Sequence, residues 1–119
     1  MSLISEQGFN IKRGKEEAFQ KWTADNDAAL KKSTPPGVEY IGTYVVAMSS
    51  EKQAGEYRFL LRLESFAAFD VMHESARDEK SDWGRLNREA TEFLDLPIGG
   101  EFSYSVYRPL IDAVIWDVS

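Results

Sequence analysis

The stretch that decides the fold is Val38–Glu74, which reads VEYIGTYVVAMSSEKQAGEYRFLLRLESFAAFDVMHE. Two runs rich in β-branched and aromatic residues, Val38–Met48 and Tyr57–Glu64, are separated by a polar loop, so they predict a β-hairpin. Ser65 is a favoured N-cap residue. We therefore expect a helix to begin there, with Phe66, Phe69, His73 and Ala76 at helical spacing on one face.

The second strand of this hairpin has a strict alternation that predicts its register. Tyr57, Phe59, Leu61 and Leu63 share one face, and the positions between them include Arg58 and Arg62. A slip of one residue would move both arginines into the apolar layer. The register should therefore be firmly set.

The flanking segments supply the other predicted elements. The first strand is followed by an amphipathic helix that two prolines end, and the charged stretch Arg77–Lys80 breaks the second helix in two. A last strand precedes an apolar tail. The corresponding segments are Leu3–Ile11, Lys15 to about Lys32, a second half-helix from Ser81 or Asp82 through Phe93 and Leu94, Phe102–Arg108, and Leu110–Val118.

This order predicts an α+β fold of the ferredoxin-like βαββαβ type over residues 1–119 as one domain. The four-stranded antiparallel sheet should carry all helices on one face. The opposite face holds Ile4 and Leu60 among charged residues, and it is too apolar to stay in water. We expect a homodimer that covers it, with the C-terminal strand or arm at residues 110–119 contributing to the contact.

Composition excludes several classes of function. The net charge of −6 argues against nucleic acid and anionic membranes as partners. The absence of cysteine excludes disulfides, thiolate catalysis and cysteine zinc sites. Residues 1–6 have no basic leader, and no apolar run is long enough to span a bilayer. We expect a cytoplasmic protein.

The element order and several local sequences resemble the dimeric α+β barrel superfamily. The resemblance rests on Gly14-Lys-Glu-Glu17 opening a helix with Phe19 and Trp22, a Pro-Pro-Gly turn, Tyr40-Ile-Gly-Thr-Tyr44, and Glu64-Ser-Phe-Ala-Ala-Phe69 after a strand. It covers residues 3–108. That group includes antibiotic-biosynthesis monooxygenase-like, NIPSNAP-like, EthD-like and haem-degrading proteins, so it implies the fold and not one chemistry.

The resemblance implies a pocket in each subunit between the helices and the sheet. The predicted catalytic residues are His73 and Tyr44. Tyr40, Gly42 and Tyr44 alternate along the strand and so share one face, and this face is expected to line the pocket. The predicted substrate-binding residues are Gln7, Trp22, Asn26, Tyr40 and Trp83. No metal site is predicted, since the acidic pairs of the sequence match solvated helix faces. No cofactor is predicted either.

Two of these residues have a simpler interpretation. His73 is the only histidine and is suited to proton transfer near neutral pH, but it could equally be a core-edge imidazole bonded to a carbonyl. Asn26 interrupts an apolar stripe, either as a polar group in the pocket or as an amide bonded to backbone.

Three functions remain open from the sequence. The first is a cofactor-independent monooxygenase-like enzyme acting on an aromatic or polyketide-like molecule. The second is a non-catalytic ligand-binding or structural dimer. The third is haem binding. Haem-degrading relatives pair a helical histidine with a first-strand asparagine and a tryptophan before the helix. This chain has Leu63 near the position of the tryptophan, and Gln7 or Asn10 on the first strand.

Overall fold

The computed structural model describes residues 2–53, 55–96 and 103–112. Five strands, three helices and a final 3₁₀ turn follow one another in these ranges. The strands are β1 (Leu3–Ile11), β2 (Val38–Val45), β3 (Tyr57–Leu63), β4 (Leu94–Asp95) and β5 (Ser103–Tyr107); the helices are α1 (Glu16–Ser33), α2 (Ala67–Arg77) and α3 (Asp82–Thr91), and the 3₁₀ turn is Leu110–Asp112.

The strands form one antiparallel sheet with β1 in its interior. The order β2-β3-β1 places β3 on one side of β1, and β5 pairs with the other side. The short β4 pairs with the end of β1, at Asn10 and Ile11. This is the strand order of the ferredoxin-like fold, so the predicted fold class is confirmed, including the second helix that is divided in two.

The helix ends follow local chemistry. In α1, glutamates occupy the first turn and lysines the last, as the helix dipole favours. The α3 helix begins as predicted, with the Ser81 hydroxyl accepting a hydrogen bond from the Gly84 amide at 2.9 Å. The predicted N-cap of α2 is wrong: the helix begins at Ala67, and no side chain caps it.

The hydrophobic core lies between the helices and one face of the sheet. Its larger cluster joins all three helices to strands β1, β2 and β3 and includes Leu3, Leu30, Leu61, Met72 and Trp83. A second cluster packs Phe9, Ile11 and Phe19 against Leu94. We refer to this side of the sheet as the helix face and to the opposite side as the far face.

The buried side of α2 differs from the predicted stripe. Ala68 and Met72 are its buried residues, whereas Phe66 and His73 are exposed. The helix is therefore rotated so that Phe69 stays at the core edge and His73 moves out of it. The reason is that Met72 is longer and fully apolar, so its burial is favoured over that of an imidazole.

A β-bulge in β2 overturns the predicted parity of its tyrosines. Tyr40 pairs with Leu61 and Gly42 pairs with Leu60, which leaves Ile41 as the extra residue. Tyr40 therefore points to the helix face, and Tyr44, opposite Arg58, belongs to the far face. The prediction that both tyrosines line one pocket is wrong.

The end of the chain departs from the prediction in two places. The α3 helix ends at Thr91, and Leu94 lies in the short strand β4 instead of on the predicted helical stripe. Residues 113–119 of the predicted arm lie outside the described residues, so its place in a dimer stays a prediction. None of the helices in the described ranges could span a membrane.

Candidate functional site

An open groove of about 670 Å³ lies between α2 and the β1–β5 edge of the sheet. We call it the outer groove. The pairing of β1 with β5 builds its floor, because Gln7 is opposite Tyr104 and Ser5 is opposite Val106. Helix α2 supplies the wall. The lining residues are Ser5, Gln7, Phe66, Phe69, Asp70, His73, Tyr104 and Val106.

The outer groove combines exposed aromatic rings with uncommitted polar groups. Phe66 is 53% exposed, with the Arg108 guanidinium 5.7 Å from its ring centroid, and Tyr104 is 76% exposed. Part of each ring is therefore accessible to a ligand. The His73 ring lies 6.4 Å from that of Phe69. Neither the Gln7 amide nor the His73 imidazole makes a hydrogen bond to any described residue.

A smaller apolar space of about 260 Å³ lies deeper, between the sheet, α1 and α3. We call it the inner cavity. Trp22 borders it, stacks on Phe19 at 6.2 Å between ring centroids, and donates its indole N–H to Glu89 on α3 at 3.3 Å. The other lining residues are Gln7, Phe9, Leu30, Thr43, Phe59, Ala76, Leu86, Asn87, Arg88, Ala90, Thr91 and Leu94.

The structure brings together three of the seven predicted site residues. Gln7 and His73 both line the outer groove, and Gln7 and Trp22 both line the inner cavity. Gln7 is thus the one predicted residue that borders both spaces. The parity of β1 was sufficient to predict its orientation toward the helices.

The remaining predicted residues lie elsewhere. Tyr40 and Trp83 are fully buried in the core. The Tyr40 hydroxyl hydrogen-bonds Thr43 at 2.7 Å, and burial raises the pKa of its phenol. The Asn26 side-chain amide donates a hydrogen bond to the Trp22 carbonyl at 2.8 Å. This matches the simpler of its two interpretations, an amide bonded to backbone.

Tyr44 lies apart from His73. Its ring packs over Gly42, where an added Cβ would be 3.0 Å from the Tyr44 Cε2 atom. Tyr44 also borders an open groove beside α1, at the free edge of the sheet. The two residues predicted as catalytic therefore do not meet in the chain as described.

Sequence reasoning missed the contribution of β5 to the site. Tyr104, Val106 and Ser5 were not predicted as lining residues, and neither was Asp70, one turn before His73 on α2. The available signal was the βαββαβ order itself, because it places the last strand beside the first. Combined with the alternation of β5, it directs Tyr104 and Val106 to the helix face.

The residues present do not match the haem-degrading pattern. Gln7 and His73 occupy comparable elements, but Leu63, where a tryptophan would be expected, is fully buried in the core. Within the described residues there is also no cluster of three histidine, aspartate or glutamate side chains suited to a metal ion. We derive no haem chemistry for this groove.

Comparison with solved structures identifies proteins that have the same fold. A NIPSNAP family protein from Agrobacterium tumefaciens matches with a TM-score of 0.64 at 12% identity, over 97% of this chain and 99% of that one. The chain has the same fold as this NIPSNAP family protein. The fold that the sequence resemblance implies is thereby confirmed.

Two further structures have the same architecture. A NIPSNAP-like domain protein from Burkholderia xenovorans matches with a TM-score of 0.64 at 10% identity, over 92% of this chain and 85% of that one. A candidate antibiotic biosynthesis monooxygenase from Bordetella bronchiseptica matches with a TM-score of 0.62 at 14% identity, over 90% and 95%. Neither family models nor curated proteins match the sequence.

Proposed function

We propose that the protein binds a small aromatic molecule in the outer groove. The observation that carries this proposal is the pairing of two uncommitted polar side chains, Gln7 and His73, with the exposed rings of Phe66 and Tyr104 in one concave space. Aromatic faces provide most of the contact energy for such a ligand, and a few polar groups fix its orientation.

The size of the groove supports a ligand of two or three rings. Pockets for compact organic ligands usually measure about 300–1,000 Å³. The outer groove falls within this range at about 670 Å³, whereas the inner cavity alone falls below it at about 260 Å³. The ligand is therefore expected to enter from the outer groove.

A cofactor-independent monooxygenase activity is the second candidate. It is favoured by the position of His73 in the groove, where an imidazole could accept the proton of a bound phenol. One solved structure with this fold is a candidate antibiotic biosynthesis monooxygenase. We rank binding first because the other predicted catalytic residue, Tyr44, lies on the far face.

The proposed functional unit is a homodimer whose two far faces pack together. Ile4 and Leu60 supply apolar surface there, and both arginines of β3 are already paired within the chain. Arg58 contacts Glu6 at 2.9 Å and Arg62 contacts Glu39 at 3.3 Å. Paired charges are less costly to bring into an interface than isolated ones.

Calorimetric titration with 2-naphthol tests the binding proposal. We expect saturable binding to the wild-type protein, and we expect His73→Ala and Tyr104→Ala each to weaken it roughly 3- to 10-fold, since a hydrogen bond or a ring contact contributes about 1 kcal/mol. The control is Glu74→Ala, at an exposed neighbour of His73 that does not line the groove.

The two variants should unfold at the wild-type urea concentration, because both residues are exposed. Saturable binding that neither variant weakens would contradict the proposed site. Consumption of dioxygen with a bound phenol, lost in His73→Ala, would support the monooxygenase candidate. Binding without turnover would leave a non-catalytic ligand-binding protein.

A further inference from the structure

The outer groove and the inner cavity meet at Gln7. Along β1 the groove is bordered by Ser5 and Gln7, and the cavity by Gln7 and Phe9. Helix α2 follows the same direction, with His73 in the groove and Ala76 in the cavity. The two spaces therefore follow one another along β1 and α2, with Gln7 on the border of each, and together we call them the trough.

The length of this trough can be read from its two walls. Ser5 and Phe9 are four residues apart on a strand, which is about 13 Å at the rise of an extended chain. Phe69 and Ala76 are seven residues apart on a helix, which is about 10 Å. A rigid molecule of three fused rings has this length, and its middle would lie beside Gln7.

The polar residues of the inner cavity are already engaged within the protein. The Thr43 hydroxyl is hydrogen-bonded to the Tyr40 hydroxyl at 2.7 Å. Asn87 donates to the Trp83 carbonyl at 2.7 Å, and Thr91 donates to the Asn87 carbonyl at 2.7 Å. Arg88 reaches the Glu79 carbonyl at 3.3 Å. Among the described polar side chains of this cavity, the Gln7 amide alone makes no hydrogen bond.

We propose that Gln7 is the specificity-determining residue of the site. It divides the trough and selects an elongated, neutral aromatic ligand that carries a carbonyl or hydroxyl near its middle. One end of the ligand would fill the inner cavity among Phe9, Phe19 and Phe59, and the other would lie in the outer groove. This inference rests on the proposed function and extends it to a ligand class.

The chemistry of an amide explains the selection. A carboxamide both donates and accepts hydrogen bonds, so it can satisfy a ligand carbonyl or a ligand hydroxyl without a charge. A ligand without this polar group would cover the amide and leave it unsatisfied. Such a mismatch discriminates more strongly than one methylene group does.

The test compares fluorenone with fluorene, which have the same three-ring skeleton and differ in the central carbonyl. We expect the wild-type protein to bind fluorenone about tenfold more tightly. In Gln7→Met, which keeps the length of the side chain and removes the amide, the two affinities should become equal within about twofold. The control Gln20→Met changes an exposed glutamine on α1 and should keep the tenfold preference.

A second measurement does not depend on a variant that folds. In ¹⁵N-labelled wild-type protein, fluorenone should shift the side-chain amide resonances of Gln7, and fluorene at the same occupancy should shift them by less than half as much. Equal shifts, or a fluorenone preference that survives Gln7→Met, would overturn the inference.

Failure of the inference is distinguishable from failure of the proposed function. If both compounds bind equally to the wild-type protein and His73→Ala weakens both, the groove binds aromatic molecules and Gln7 does not select them. If neither compound nor 2-naphthol binds, both the proposed function and this inference are wrong.

Discussion

Arg58 shows how one residue organises the far face of the sheet. Its side chain is 10% exposed and contacts Glu6 at 2.9 Å and Glu56 at 3.1 Å. It also donates to the Gln53 side chain and to the Tyr57 carbonyl. Gly8 makes room for this guanidinium, because an added Cβ would lie 3.0 Å from Arg58 Nη1.

Replacing Arg58 with Met should cost about 2–3 kcal/mol of unfolding free energy, because two carboxylates lose their cation. This is below the full cost of breaking a buried pair, since Glu6 and Glu56 are 30% and 40% exposed. The matched change Arg62→Met, two residues away in an exposed pair, should cost less than about 1 kcal/mol. Urea denaturation of both variants provides the measurement, and equal losses would contradict this account.

Individual site residues were predictable where a regular pattern holds. The alternation of β1 was enough to place Gln7, and helical spacing was enough to place Trp22 beside Phe19. Tyr44 could not be placed, because an inserted residue that shifts parity leaves no mark in the sequence. His73 was assigned to the right helix, but competition with Met72 for the core was settled only by packing.

Among the elements, the turn between α2 and α3 is tightly packed. The Ser81 hydroxyl accepts from the Gly84 amide and donates to the Ser75 carbonyl at 2.7 Å. A Cβ on Gly84 would overlap the Asp78 carbonyl oxygen and approach the Ser75 carbonyl oxygen to 3.0 Å. Both obstacles are backbone atoms, which cannot rotate away.

Gly84→Ala should therefore destabilise the protein by about 1–3 kcal/mol, as overpacking usually does. Helix propensity alone predicts the opposite sign, a gain of up to about 1 kcal/mol. The control Arg85→Ala, at the next and exposed position of α3, should change stability by less than about 1 kcal/mol. Thermal unfolding of the two variants decides between these signs.

The order and type of the longer elements were predictable from hydrophobic periodicity and from the Ser33–Gly37 turn. The two-residue strand β4 was not, because so short a segment has no period to detect. Its pairing with Asn10 and Ile11 depends on where α3 ends and on the free edge of β1. Both are consequences of tertiary packing.

At the scale of the whole molecule, the far face sets the expected assembly. Sedimentation at micromolar concentration should give the mass of a dimer. Leu60→Lys should shift it toward the monomer, because the change places a charge in the proposed contact. The control Val71→Lys, on the exposed side of α2, should remain dimeric. A wild-type monomer at this concentration would contradict the dimer proposal.

The C-terminal segment has its own test. A chain that ends at Pro109 lacks the apolar residues expected to contribute to the dimer contact. Its dimer should therefore dissociate at a higher protein concentration than the dimer of the full chain. Sedimentation over a dilution series measures the shift. An unchanged midpoint would mean that residues 110–119 contribute nothing to assembly.

The single extra residue at Ile41 has a consequence for the two faces of this strand. Residues before it present side chains to the interior in one phase, and residues after it do so in the opposite phase. The same residues paired with β3 without this bulge would exchange the inward and outward roles of Thr43 and Tyr44. The irregular pairing, more than residue identity, thus determines which of these hydroxyls faces the interior.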